Sequence, residues 1–173
     1  MTAIDQPTPT GNRRLPASGT VGFSASPALA RNLQLILVDL IELHLQAKQA
    51  HWNLVGTDFR SLHLQLDDIT DAAREASDTI AERLRALRGT PDGRSDTVAA
   101  TTTLAAFPAG ELSTAEVIEL VTNRLHAAVS TMRVAHDAID AEDPSTSDLV
   151  HGVIDTLEKH AWMLDAAGRT PRR

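Results

Sequence analysis

The sequence predicts an all-α protein, a four-helix bundle in which one long connection crosses from the second helix to the third. Three observations carry this. Apolar residues recur at helical spacing in four separate stretches. Strand-forming aromatics are scarce, with no Tyr, two Trp and three Phe. Short turn signals join the first stretch to the second and the third to the fourth, whereas about 23 residues separate the second from the third. Short turns make antiparallel hairpins, and a connection that long runs the length of the bundle and leaves helices two and three parallel.

Residues 1–25 are rich in Pro, Gly, Thr and Ser without periodicity and read as a mobile N-terminal tail. Ser26 and Pro27 form an N-cap and first-turn signature. From there Leu29, Leu33, Ile36, Leu37, Leu40, Ile41 and Leu45 carry the first helix to about Leu54, where Gly56 stops it. Thr57 or Asp58 caps the second helix, Phe59 to Arg88, which closes on Gly89 and Pro91. The crossover, residues 89–112, holds a short helix capped by Ser95. Ser113 and Glu116 form a capping box for the third helix, to about Ala141. Asp143, Pro144 and Ser145 restart the chain into the fourth, whose Val150, Val153, Ile154, Leu157, Ala161 and Leu164 face a core until Gly168. The bundle thus spans 26–168, followed by a basic tail at 169–173.

Composition bounds the function. The 173 residues, 42% hydrophobic, suffice to bury a core without staples, and the lack of Cys removes disulfides, thiolate metal sites and thiol catalysis. A net charge of −7 makes the body a poor general binder of nucleic acid. The N-terminal stretch has no apolar h-region, and no apolar run approaches the roughly 18 residues of a membrane span. The expectation is a cytoplasmic protein with no membrane partner.

The second helix carries His63, Asp67, Asp78 and Glu82. At about 100° per residue, with His63 at 0°, these fall near 40°, 60° and 100°, whereas Leu62, Leu66, Ile69, Ala73, Ala76, Ile80, Leu84 and Leu87 cluster between about 220° and 300°. The four ligand-type residues therefore point away from the chain's own core. His63 and Asp78 lie about 22 Å apart along one helix, whereas metal ligands sit about 2 Å from an ion. One subunit cannot bring both to one metal. Two antiparallel copies of the helix, crossing near Ala72 and Ala73 where small residues permit close approach, would set His63 and Asp67 of one chain against Asp78 and Glu82 of the other. Such a site lies between subunits and occurs twice per dimer. Its imidazole and carboxylate ligands suit Fe(II), Mn(II) or Zn(II) by type.

The segment KQAHWNLVGTDFRSLHLQLDDITDAAREASDTIAERLRAL resembles the metal-site segment of the Dps family, the miniferritins named for DNA protection in starved cells. The pattern is H-W-N, eleven residues between the two His, then H-x3-D and D-x3-E, matched at His51, His63, Asp67, Asp78 and Glu82. KHAWML around Trp162 is similar to the family's last helix, and the match is closest in flavour to actinobacterial members. The resemblance implies a ferritin-like four-helix bundle with one long crossover carrying a short helix, assembling as a homo-dodecameric shell. It implies that Fe(II) is oxidised at sites shared across twofold interfaces, preferably by hydrogen peroxide with dioxygen as the other oxidant, and that ferric mineral is stored inside. In that scheme His51, His63 and Asp67 come from one subunit and Asp78 and Glu82 from its mate.

Further residues carry two readings each. Trp52 resembles the Trp beside the family's iron site, as a redox sink or as an interface aromatic covering the site. Lys48 either pairs with a site carboxylate or is solvated, and His44 shares the face of His51 outside the ligand pattern. Glu142, Asp143 and Asp148 flank the last turn. In the family this region lines a threefold pore for iron entry, and helix capping is the competing role. Arg13, Arg14, Arg169, Arg172 and Arg173 are candidate DNA contacts. The alternative function is accordingly a nucleoid-associated DNA-binding protein acting through Arg-bearing tails, with iron chemistry secondary.

Overall fold

The computed structural model of the chain describes residues 22–170. Helix α1 spans Pro27–Asn53 and α2 Phe59–Ala86, joined through β1 (Leu54–Val55). The crossover holds α3 (Ser95–Thr101) and ends in β2 (Leu112–Ser113), followed by α4 (Thr114–Glu142) and α5 (Pro144–Gly168). The Ser26 hydroxyl caps α1 by accepting from the Leu29 N–H, and Ser113 with Glu116 forms the expected reciprocal box on α4.

Three caps differ from expectation. Asp58 occupies the N-cap of α2 in the left-handed region, φ 60°, and its carboxylate caps nothing. Ser95 is the first residue of α3, not its cap; the Asp92 carboxylate instead gathers the Arg94 N–H and the Thr97 hydroxyl ahead of that helix. At the end of α2 the left-handed residue is Arg88, φ 66°, while the Gly89 N–H donates to the Leu84 carbonyl and Arg88 to that of Arg85. A Cβ on Gly89 would come within 2.3 Å of Leu84 Cδ1, so this glycine is required for close approach rather than for its φ.

β1 and β2 pair in parallel, Leu54 with Leu112 and Val55 with Ser113. This bridge pins the start of α4 beside the start of α2, so the two helices run parallel, as the length of the connection required. The crossover follows α1 from one end to the other. Gln34 exchanges two hydrogen bonds with the backbone of Asp92, and further along Gln46 and Arg124 hold the Ala105 carbonyl. Between them the carboxylate of Asp39, fully buried, accepts from the hydroxyls of Thr102, Thr103 and Thr131 and from the Thr103 N–H. A buried carboxylate is tolerated because four donors replace its water. Asp39→Ala strands these donors at a cost of about 2–3 kcal/mol. The expected outcome is a melting temperature lower by roughly 5–10 °C, read by circular dichroism.

The core is the predicted one on α2 and α5, where every apolar residue assigned to it is buried. On α1, Leu45 departs from expectation at 50% exposure, because it lies on the outer edge of the apolar stripe. No helix among the described residues is long and apolar enough to cross a membrane.

Candidate metal centre

α1 and α2 run antiparallel, so the last turns of one meet the first turns of the other. His51 and His63 lie face to face, ring centroids 3.6 Å apart and planes 24° apart. Nδ1 of His51 is 3.0 Å from the backbone carbonyl of His63, and Nδ1 of His63 is 3.0 Å from that of His51. A carbonyl oxygen only accepts, so both Nδ1 atoms carry the proton and both Nε2 lone pairs are left for a ligand. The Asp67 carboxylate completes the group: His51, His63 and Asp67 offer ligand atoms within 4.8 Å of one another, the one such group among the described residues. Asp67 Oδ1 also accepts from Lys48 Nζ at 2.5 Å. That hydrogen bond, with the nearby imidazoles and the ammonium charge, holds the Asp67 carboxyl below its ordinary range despite some desolvation. Asp67 is thus a ready anion at neutral pH, and Lys48 is the cation a metal must compete with. Phe59, a residue sequence reasoning missed, stacks on the outer side of His63 at 5.0 Å. Its position one turn before His63 was the available signal.

Asp78 and Glu82 are exposed on α2 and do not join this group. Asp78 lines an open groove with His44, Asp71 and Arg74. Burial, reinforced by Arg74, lowers the pKa of His44 against the opposing pull of Glu42, and the ring's Nδ1 is buried without a partner. Trp52 is 67% exposed next to His51. Ala72 and Ala73, the small residues expected to face a second helix, do not lie on the ligand face of α2. Ala73 is fully buried in the chain's own core, and Ala72 lines a groove with Gly152 of α5. At the middle of α2, the face shared by the ligand-type residues carries Asp71 and Arg74 instead.

Two of the acids at the α4–α5 turn are engaged within the chain. Glu142 accepts from the N–H and hydroxyl of Ser26 at 2.7 and 2.6 Å. Asp143 sits between the helices and pairs with Arg83 at 2.6 Å. Asp148 is exposed, as is Arg169, whereas Arg13, Arg14, Arg172 and Arg173 lie outside the described residues.

Four long helices with one crossover, holding paired imidazoles and a carboxylate between the first two, define a ferritin-like bundle, and residues 30–172 match the family described as Ferritin, the ferritin-like domain. The chain is 36% identical over 131 residues to the DNA protection during starvation protein of Agrobacterium fabrum, covering 75% of this chain and 81% of that one. It is 34% identical over 152 residues to DNA protection during starvation protein 2 of Deinococcus radiodurans, covering 88% of this chain but only 62% of that relative's length. Dps from Microbacterium arborescens, solved in a high iron form, shares the fold with a TM-score of 0.79 and 31% identity over 84% of this chain and 98% of its own. The chain belongs to the Dps family.

Proposed function

We propose that the protein is a ferroxidase and iron-storage cage, a homo-dodecamer that oxidises Fe(II), preferably with hydrogen peroxide, at sites shared between subunits. The observation that carries this reading is the paired His51 and His63, each with Nδ1 engaged and Nε2 free, beside an ionised Asp67. Neutral imidazoles bind Fe(II) at neutral pH, and carboxylates, being hard, hold the Fe(III) formed. Asp78 and Glu82 of the mate supply the remaining carboxylates. Two Fe(II) each give one electron to one hydrogen peroxide, and with two waters they yield two FeOOH and four protons. Trp52 covers the site from the interface or takes up an oxidising equivalent. Anaerobic Fe(II) followed by peroxide, with ferric absorbance recorded, tests the reading; a rate equal to that of the protein-free mixture overturns it.

Iron entry at the α4–α5 turn rests mainly on Asp148. Asp143 is neutralised by Arg83 and Glu142 is spent on Ser26, so contacts within the chain occupy both, although the Asp143 carboxylate, at the N-cap of α5, makes no cap hydrogen bond to that helix. Asp148→Asn is expected to slow iron oxidation a few-fold at low salt and not at high salt, because steering is screened. Equal rates at low ionic strength would leave Asp148 an exposed carboxylate beyond the first turn of α5.

A second reading, DNA binding through Arg13, Arg14, Arg169, Arg172 and Arg173, is favoured by the starvation proteins to which the chain is related. Any mobility shift should fall steeply with salt and weaken when residues 169–173 are deleted. Full-length protein that shifts no DNA at low salt ends this reading.

A further inference from the structure

The site face of α2 carries two opposite charges that no ion pair among the described residues satisfies. Asp71 and Arg74 are both exposed and line the same open groove as Asp78. Among the described residues, neither has an ion-pair partner within 4.0 Å, although they are three residues apart on one helix.

Their position on the helix is informative. On two antiparallel copies of one helix, residues meet when they are equidistant from the crossing point on opposite sides. Asp67 and Asp78 are equidistant from the midpoint between Ala72 and Ala73, and so are His63 and Glu82. The intersubunit site proposed above, on which this inference rests, therefore places the crossing at that midpoint. Asp71 and Arg74 are equidistant from the same midpoint. Their phases, near 80° and 20°, fall inside the arc from His63 to Glu82. At an interaxial distance of about 8–10 Å, a carboxylate and a guanidinium so placed reach one another across the axis.

We infer that a second copy of this chain docks on this face with Asp71 paired to the partner's Arg74 and Arg74 to the partner's Asp71, a reciprocal ion pair that sets the register in which both metal sites close. The pair discriminates against the nearest alternatives as well as favouring the correct one. A slip of three residues in one direction opposes Arg74 to the partner's Arg74. The same slip in the other direction opposes Asp71 to the partner's Asp71. Either error would also carry His63 and Asp67 past the carboxylates they need, so register and metal binding are coupled.

Charge reversal tests this in the full chain, with Co(II) as a redox-inert probe read by visible absorption and light scattering giving the assembly state. Asp71→Arg alone, or Arg74→Asp alone, opposes like charges at both contacts. Each is expected to weaken assembly and Co(II) binding at least tenfold with helical circular dichroism unchanged. Mixed in equal amounts, one chain presents two guanidinium groups and the other two carboxylates, so assembly and Co(II) binding return. The double variant Asp71→Arg/Arg74→Asp, with the charges exchanged within one chain, should recover alone. Single variants that assemble and bind Co(II) like the parent overturn the inference, as does a mixture of folded chains that recovers nothing. If ligand-half complementation, described below, still succeeds, only the register pair has failed. If complementation fails in verified mixed assemblies, the shared site itself is wrong.

Discussion

His63→Ala is expected to slow Fe(II) oxidation on the order of 100-fold while leaving helical content nearly unchanged. Losing a ligand should cost at least as much as losing a supporting contact, which in metal sites costs about 10–100-fold. The damage extends past the missing nitrogen. His63 Nδ1 holds the carbonyl of His51, and the His63 carbonyl holds His51 Nδ1, so the two rings orient each other. The substitution keeps the backbone carbonyl, so His51 retains its tautomer but loses the ring stacked on it. Residual activity should therefore be weak without being unfolded. Half-buried and off the apolar stripe, His63 leaves no core cavity behind when truncated. Stopped-flow ferric absorbance together with far-ultraviolet circular dichroism checks both halves of the expectation. A variant that melts or loses helix at neutral pH would make His63 a structural residue.

What could be read in the chain was whatever depends on helical phase. The separation of His63, Asp67, Asp78 and Glu82 from the buried stripe of α2 follows from 3.6 residues per turn, and the structure repeats it. The box of Ser113 and Glu116 was legible for the same reason, since all its partners are local. Features made by distant residues were not. Asp39 looked only like a charge interrupting an apolar run, because its donors come from residues 102, 103 and 131. The parallel bridge of Leu54 with Leu112 is too short to leave a strand pattern. Ala73 misled because small residues suit both a close crossing and a tight core; its phase, among the apolar residues, already favoured the core. In the site, residue types and spacing gave the candidates, whereas the carbonyl contacts that select the tautomers required the antiparallel meeting of α1 and α2.

That meeting unites three of the five candidate ligands, and the consequence can be measured by complementation. One chain carries His51→Ala and His63→Ala, the other Asp78→Asn and Glu82→Gln. Each alone should bind and oxidise little iron, because every site lacks two of its five ligands. In a mixed dimer, Asp78 and Glu82 of the first chain meet His51 and His63 of the second, so one site is whole and the other has lost all four. Random pairing makes roughly half of the dimers mixed, each with one good site of two, so co-assembled protein should regain about a quarter of the parent's sites. Within-subunit sites would regain none at any mixing ratio. Adding Asp71→Arg to one chain and Arg74→Asp to the other favours mixed dimers over like ones, and the recovered fraction should then rise toward about a half. The two fractions depend on different contacts. The quarter reports that the ligands are shared, and its increase reports that the charges at the centre of α2 choose the partner.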